Sequence, residues 1–288
     1  MIKKFKFHFY ALDMELPKNI FNTEDLSDLE YMLKELKGAT KPKNVYRLNG
    51  YYSFCRHIKD NVFCFEKHRQ TDIPTIGKIT DNSEREISLK KDETIIEKNY
   101  FLINPEVGYI VYQEKNEGFR AQTLIGYFKQ FMNITKVNIT QILQKSAYEK
   151  LLKLGYIKGI EYNIATPNDK ILKEFGVSIE ERALYNTKFN ISVKIGLEDK
   201  EPIGLFNFLS DIQKKITRNS NNIKKLTIKG SEEEDSNLTE VNMLKDILEV
   251  ISPIRVLDKN EMEDDIISEL KKCNTIYKEE IKGLIKNE

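Results

Sequence analysis

The sequence predicts an α+β fold, in which antiparallel sheets built from β-hairpins pack against helices and a long helix closes the chain. Strand-like and helix-like segments alternate irregularly along the 288 residues, whereas a doubly wound parallel sheet requires a regular alternation. Two pairs of strand-like segments are each joined by a short turn. The last predicted element, at 261–286, is one long amphipathic helix.

The chain begins with a predicted strand at 2–12 and a predicted helix. Apolar and polar residues alternate in the strand, as they do when one face of a sheet is buried. The helix is expected to start within 22–25, because Asn22 or Thr23 can cap it and acidic residues suit its first turn. It ends at Gly38. Its apolar stripe consists of Leu26, Leu29, Leu33 and Leu36.

Two hairpins and a helix complete the predicted N-terminal region, residues 1–133. The strands are predicted at 45–58 with 61–68 and at 94–103 with 107–113, and the helix is predicted at 118–132. The second hairpin turns at Asn104-Pro105-Glu106, since Asn and Pro favour turns. In the first hairpin, four aromatic residues are expected on one face, namely Tyr52, Phe54, Phe63 and Phe65.

The predicted C-terminal region, residues 134–288, again mixes strands and helices. Strands are expected at 134–143, 156–165, 187–196 and 222–229 and as a pair within 240–257, and helices at 145–154, 167–175, 178–185, 202–218 and 261–286. No internal repeat or long linker separates the two regions, so one continuous domain is the alternative organisation.

The composition is that of an ordinary soluble globular protein, with 40% hydrophobic and 32% charged residues. The net charge of +1 argues against a uniformly basic surface but allows separate basic and acidic faces. No run approaches 18 apolar residues, so no membrane insertion is expected. Three cysteines cannot form a disulfide framework, which favours a reducing, cytoplasmic location.

Two cysteines of the first hairpin raise the question of a metal site. If Lys59-Asp60 is a two-residue turn, Cys55 faces Cys64 and His57 shares their face. His68, the nearest candidate for a fourth ligand, lies too far along the strand to meet His57. We therefore expect packed, reduced thiols, no metal and no cofactor.

A basic block at 214–229, KKITRNSNNIKKLTIK, carries six positive charges and no acidic residue. Cations on both sides of a polar tip can supply charge and hydrogen bonds to phosphates. The predicted phosphate-binding residues are Lys214, Lys215, Arg218, Asn221, Asn222, Lys224, Lys225 and Lys229. The alternative is structural, because cations also stabilise helix C-termini and protect edge strands. The acidic run Glu232–Asp235 follows and is expected in the next loop.

A second concentration of cations follows the first predicted helix, at Lys34, Lys37, Lys41 and Lys43. Most aromatic residues fall at core spacing, and no strand shows the aromatic pair typical of RNA-binding sheets. Any DNA binding is therefore expected chiefly through the phosphate backbone and with little sequence preference.

Catalytic signatures are weak throughout the chain. Glu106 followed by Gln113-Glu114-Lys115 resembles a degenerate PD-(D/E)xK nuclease site, which would bind Mg²⁺. Gln113 is a poor substitute for a carboxylate, and about 20 Å of strand separates it from Glu106. The chain also lacks the glycine-rich phosphate loops of nucleotide hydrolases. We therefore expect no enzymatic activity and keep the nuclease as an alternative.

A further alternative is a non-catalytic subunit that binds other proteins of a defence complex. The closing helix carries more apolar residues than its own packing needs, and the remainder could form a dimer or dock a partner. These residues are Met262, Ile266, Ile267, Leu270, Ile276, Ile281, Leu284 and Ile285.

The order of the elements resembles that of the RexA-like phage-exclusion family. The similarity lies in the hairpin YYSFCRHIKDNVFCFEKHR and in the segment LKKDETIIEKNYFLINPEVGYIVYQEKNEGFRAQTLIGYF. It continues from FLSDIQKKI through IKKLTIKG to the last helix with Ile276-Tyr277. The layout is also similar to that of the Kiwa defence protein KwaB.

This resemblance implies a homodimeric, largely sequence-nonspecific double-stranded DNA-binding protein that acts in anti-phage defence by an abortive-infection-like route. It further implies an α+β fold, no enzymatic activity and a possible second defence-system protein as partner. The resemblance rests on order and pattern, so it assigns no individual binding residue.

Overall fold

The computed structural model describes residues 2–16, 26–69, 75–77, 84–86, 89–90, 93–115, 117–154, 156–165, 190–196, 223–233, 237–243, 245–256 and 258–286. Within them it confirms the α+β class, with antiparallel sheets and helices. The chain forms two compact units: Met1–Gln141 with Glu249–Lys282, and Ile142–Leu248 with Gly283–Glu288. The first unit thus continues past the predicted boundary at residue 133 and regains the chain at Glu249.

The described strands and helices have the following bounds. The strands are β1 Ile2–Glu15, β2 Tyr46–Leu48, β3 Tyr51–Lys59, β4 Val62–Arg69, β5 Thr75–Gly77, β6 Glu84–Glu86, β7 Ile95–Asn104, β8 Tyr109–Glu114, β9 Lys136–Gln141, β10 Tyr156–Ala165, β11 Asn190–Gly196, β12 Ile223–Ser231, β13 Thr239–Asn242 and β14 Glu249–Arg255. The helices are α1 Asp28–Lys37, α2 Thr123–Met132, α3 Lys145–Leu152 and α4 Lys259–Lys286.

The sheet of the first unit runs in the order β14-β1-β8-β7-β4-β3-β2, and β9 also pairs with β1. All of its pairings are antiparallel. β1 is long enough to pair with β14 through its first half and with β9 through its second half, while β8 occupies its other side. The strand therefore joins the two separated parts of the chain that make up this unit.

Helices α1 and α2 pack on one face of this sheet. Met32, Leu33 and Leu36 of α1 are buried in one cluster with the aromatic side chains of α2 and of the strands. The predicted helix start within 22–25 is wrong for α1, since the helix begins at Asp28. Its cap is Ser27, whose Oγ accepts from the Glu30 N–H while the Glu30 carboxylate accepts from the Ser27 N–H. Residues 17–25 lie outside the described residues.

Helix α4 packs on the opposite face of the same sheet. The Tyr277 ring meets that of Phe9 edge-on at 5.1 Å, and the Tyr109 hydroxyl donates to Asn274 Oδ1 at 2.6 Å. Leu270 and Ile281 are fully buried. The closing helix, assigned from the sequence to the C-terminal region, thus belongs mainly to the first unit, which has three layers.

The first hairpin turns one residue later than expected. Asp60 and Asn61 form the turn, and Lys59 pairs with Val62. Asp60 adopts a positive φ of 52°, which Asp tolerates better than most residues. A β-bulge between His57 and Lys59 then changes the register by one residue, so that Cys55 pairs with Phe65 and Cys64 lies on the other face. Because a one-residue slip moves a side chain to the opposite face, the predicted single aromatic face is wrong.

The aromatic side chains of this hairpin divide between the two faces. Phe63 and Phe65 pack with α1 and α2 in the large core cluster. Phe54, opposite Glu66, and Tyr52, opposite His68, belong to the face on which α4 packs.

The second unit contains a four-stranded antiparallel sheet in the order β11-β10-β12-β13, together with α3. β10 has the bounds predicted from the sequence. Two strands lie close to the predicted range 240–257, but they do not pair with each other, because β13 pairs with β12 in this unit and β14 pairs with β1 in the first. The predicted helices at 167–175, 178–185 and 202–218 lie outside the described residues.

Across the part of the chain that the structure describes, no helix combines the length and the apolar composition needed to cross a membrane.

A buried asparagine holds the segment that leads into α2. Asn99 on β7 accepts from the Phe119 N–H at 3.0 Å and donates to the Gln113 carbonyl at 2.9 Å. Gly118 lies against this side chain so closely that a Cβ there would come within 1.8 Å of Asn99 Oδ1. Glycine at this position therefore permits both hydrogen bonds.

We expect Gly118→Ala to lower the free energy of unfolding by about 3 kcal/mol, since the new methyl displaces Asn99 and leaves buried polar groups unpaired. Gly283→Ala is the matched control, because a Cβ there meets nothing within 4 Å. In a helix that change should be neutral or stabilise by up to about 1 kcal/mol. Urea denaturation measures both, and equal stabilities for the two variants would contradict the packing described.

Candidate functional site

Five cations lie together on the sheet face that carries α4, near the first turns of that helix. We call this surface the basic face and define it by Lys41, Arg47, Arg56, Lys98 and Lys115. Lys41 comes from the segment after α1, and Lys115 from the end of β8. The other three stand on β2, β3 and β7.

The strand register brings these residues together. Cross-strand partners point to the same side of a sheet. Three successive rows result: Arg47–Tyr52–His68–Ile96, Phe54–Glu66–Lys98 and Arg56–Cys64–Tyr100. Each row alternates with one that faces α1 and α2, so the same strands supply both the apolar core and the charged surface.

Glu66 organises the centre of the basic face. Its side chain is only 5% exposed, and it accepts from Lys41 Nζ at 2.6 Å and from Arg56 Nε at 3.0 Å. Burial alone would raise the pKa of the Glu66 carboxyl, but the hydrogen bonds and charges of Lys41 and Arg56 outweigh it and hold that pKa below its ordinary value. Glu66 is therefore ionised near neutral pH and fixes both cations in place.

His68 completes this network. Burial and the charge of Lys41 lower the pKa of His68 below its ordinary value, against the opposing effect of Glu66. The ring lies within hydrogen-bond distance of three groups: Nε2 is 3.1 Å from Lys41 Nζ and 3.3 Å from Glu66 Oε2, and Nδ1 is 2.8 Å from Thr94 Oγ1. His68 thus adds a planar ring to the face without adding charge.

A second carboxylate reaches the basic face from the first turns of α4. Glu263 accepts from the Tyr100 hydroxyl at 2.7 Å and lies 3.7 Å from both Arg56 Nη2 and Lys98 Nζ. Glu117 also acts electrostatically on Lys115, although burial lowers the pKa of that lysine overall. Cations of the basic face thus interact with three described carboxylates, those of Glu66, Glu263 and Glu117.

The outer part of the basic face combines charge with exposed apolar surface. Tyr52 is 41% and Ile96 43% exposed. Arg47, the cross-strand neighbour of Tyr52, is also exposed. Lys41 Nζ lies 4.9 Å from the centre of the Phe54 ring. Cations interleaved with aromatic rings can hold an anionic ligand that also presents planar groups.

The thiol beneath this surface, that of Cys64, is poorly reactive. Cys64 is fully buried next to Arg56 and Tyr100. Burial raises the pKa of the Cys64 thiol to about 12. It is therefore protonated near neutral pH and is not prepared to act as a nucleophile.

The basic block predicted from the sequence is only partly covered by the described residues. Lys214, Lys215, Arg218, Asn221 and Asn222 lie outside them. Lys224 and Lys225 stand on β12, of which only the backbone is described there.

Lys229, also on β12, forms ion pairs with Glu161 and Glu240. The hydrogen bond with Glu240 is the main cause that raises the pKa of Lys229. Glu232 and Glu233, which follow it, are exposed. Phosphate binding by the block stays a prediction, and the ion pairs of Lys229 balance the charge of the one predicted contact whose side chain is described.

The candidate metal ligands of the first hairpin are divided by its register. Cys55 packs on the core side, while Cys64 and His68 lie on the side of the basic face. His57 Nε2 lies 2.9 Å from the Asp60 carbonyl oxygen. In the described ranges, no three His, Cys, Asp or Glu side chains are grouped as metal ligands.

The residues of the nuclease alternative are not brought together. Glu106, in the turn after β7, pairs with Lys278 of α4. Gln113 is buried at the other end of β8, where its side-chain oxygen accepts from the Tyr100 N–H at 3.2 Å. Lys115 donates to the Lys98 carbonyl. Each of these three residues in the nuclease-like pattern thus makes a separate structural contact.

No protein-family model matches this chain, and no curated protein matches it. The resemblance to the RexA-like family therefore stays a hypothesis that rests on the order of elements. Any function of the basic face is therefore inferred from its geometry.

Sequence reasoning missed most of the basic face. It noted Lys41 as one of several cations after the first helix, but Arg47, Arg56 and Lys98 are isolated in the chain. The sequence contained one relevant signal, the alternation of side chains along a strand. It could have placed Arg47 and Arg56 on one face of the β2–β3 hairpin. That signal becomes useful only when the pairing of four strands is known.

We expect Glu66→Gln to lower the free energy of unfolding by about 3 kcal/mol near neutral pH, because it leaves Lys41 and Arg56 without their shared carboxylate. The folded-state pKa of Glu66 lies below the ordinary 4.5. This contribution is therefore complete above that value and is lost as the pH falls through the folded-state pKa. The difference between variant and wild type should therefore shrink as the pH falls below that ordinary value.

Denaturant unfolding of both proteins across this pH range tests the prediction. Glu15→Gln is the matched control, because the Glu15–Lys136 pair is exposed and should contribute less than about 1 kcal/mol. A Glu66→Gln difference that stays constant down to the lowest pH would show that the carboxylate charge has no such role.

Proposed function

We propose that this protein binds DNA through its phosphate backbone with little sequence preference, as a homodimer that acts in anti-phage defence. The observation that carries the DNA-binding proposal is the basic face, where five cations and exposed aromatic surface share one side of a sheet. The duplex preference, the dimer and the defence role rest on the sequence resemblance.

Phosphate is the ligand chemistry that suits these cations best. Glu66 holds Lys41 and Arg56 in fixed positions before any ligand arrives, so little side-chain entropy remains to be lost on binding. A guanidinium such as that of Arg47 or Arg56 can also donate two parallel hydrogen bonds to a phosphate. A phosphate backbone would engage several of the cations at once and release its counterions.

The same surface offers little for reading a base sequence. Direct readout uses side-chain amides or arginines directed into a groove by an inserted helix or ribbon. The basic face is instead a set of strand side chains flanked by α4. Contacts through charge alone position a nucleic acid without specifying its sequence.

The protein should bind a labelled DNA duplex with a steep dependence on salt, which fluorescence anisotropy can measure. Arg47→Gln combined with Lys98→Gln should reduce the slope of log K against log salt by about 1.8, since each lost phosphate contact removes about 0.9. Lys4→Gln combined with Lys136→Gln removes the same charge outside the basic face and should leave the slope unchanged. Equal slopes for both double variants would exclude the basic face as the contact surface.

The same titration with and without Mg²⁺ separates the alternatives. Binding without cleavage supports the proposal, and Mg²⁺-dependent cleavage supports the nuclease. Absence of binding at low salt would overturn the proposal and favour the protein-interaction subunit.

The basic block makes a separate prediction. If it is a second phosphate contact, Lys224→Glu combined with Lys225→Glu should weaken the binding of every DNA sequence by a similar factor. Competition titrations with duplexes of unrelated sequence measure this. Unchanged affinity would remove the block and leave the basic face as the candidate surface.

A further inference from the structure

We infer that the basic face takes single-stranded DNA, with an unpaired base stacked on the ring of Tyr52. This inference rests on the proposed DNA binding, and it replaces the duplex preference, which comes from the sequence resemblance alone, with a preference for single strands. Its starting point is the Tyr52 ring, which is left exposed in the outer part of the basic face and contributes little to the apolar core.

Tyr52 stands in a row of side chains suited to a nucleotide. Its cross-strand neighbours are Arg47 on one side and His68 on the other, and Ile96 follows His68. The row therefore places a cation beside an aromatic ring, with further exposed apolar surface beyond. Tyr52 is 41% exposed, so part of its side chain is accessible to a ligand.

An unpaired base fits this row better than a duplex does. In a duplex the faces of the bases are stacked on each other, and only groove edges and phosphates reach a protein surface. An exposed tyrosine such as Tyr52 then has no base face to stack on, and it contributes little to duplex binding. A single strand presents both phosphates and base faces, and stacking on a tyrosine tolerates any base. This preference also agrees with the absence of sequence readout on the basic face.

The acidic start of α4 limits where the strand can lie. Glu261, Asp264 and Asp265 are exposed in the first turns of this helix, and Glu263 already contacts Arg56 and Lys98. Repulsion from these carboxylates disfavours a phosphate above α4. The strand is thereby directed toward the side of the face that carries Arg47 and Tyr52.

Tyr51 provides a matched control for Tyr52. It is the adjacent residue and is 36% exposed. Its ring meets Phe119 and Lys67 on the other face of the sheet. Replacing either tyrosine by alanine removes the same group, but only Tyr52 stands on the basic face.

The test compares an oligothymidine of about 15 nucleotides with a blunt duplex of the same length. Tyr52→Ala should weaken oligothymidine binding about tenfold, the effect typical of one lost stacking contact, and should change duplex binding less than about twofold. Tyr52→Phe keeps the ring and should keep the affinity. Tyr51→Ala should leave both ligands bound as tightly as by the wild type.

The outcomes separate this inference from the proposed function. If Tyr52→Ala binds oligothymidine as tightly as the wild type, or weakens both ligands equally, stacking on Tyr52 is excluded, while salt-dependent duplex binding would still support the proposed function. If the wild type binds neither ligand at low salt, both proposals fall. A circular dichroism melt of each variant shows whether the fold is retained.

Discussion

The register of the β3–β4 hairpin is the constraint on which the rest of the first unit depends. Asp60 and Asn61 form its turn, and a β-bulge between His57 and Lys59 sets the register of the remaining pairs. Together they assign each side chain of the two strands to a face. Phe63 and Phe65 enter the core beneath α1 and α2, and Glu66 and Arg56 take the opposite face. A slip of one residue would bury the charges and expose the rings. Core formation therefore also fixes the charged surface.

Glu66 holds two cations of the basic face in place by pairing with both of them. A nearly buried carboxylate is costly unless it is paired, and here Lys41 and Arg56 both pair with it. The two cations are consequently held near each other despite their mutual repulsion. Arg56 also reaches Glu263, which connects this network to the first turns of α4. The site is thus built into the same contacts that attach α4 to the sheet, and a ligand meets an already ordered surface.

Local patterns in the sequence predicted the elements better than their partners. The bounds of β10 and the C-terminal end of the closing helix followed from alternation and helical periodicity, which are properties of neighbouring residues, and the helix begins two residues before the predicted 261. The turn at Asp60 and Asn61 was misplaced by one residue, because adjacent polar pairs in the loop are nearly equivalent as turn residues. β13 and β14 were expected to pair with each other, and only the long-range contact of β14 with β1 reveals that they lie in different units. The basic face was missed for the same reason, since Arg47, Arg56 and Lys98 become neighbours only through pairing between strands.

The central claim is that the basic face contacts DNA, and cross-linking tests it most directly. A single-stranded oligonucleotide carrying photoreactive iodouracil is bound to the full-length protein, irradiated and mapped by mass spectrometry of the digested complex. The account predicts cross-links in the peptide that contains Tyr52, at a level that falls with increasing salt. Cross-links confined to peptides outside 41–69 and 94–115 would contradict it, whatever the affinity of the protein for DNA.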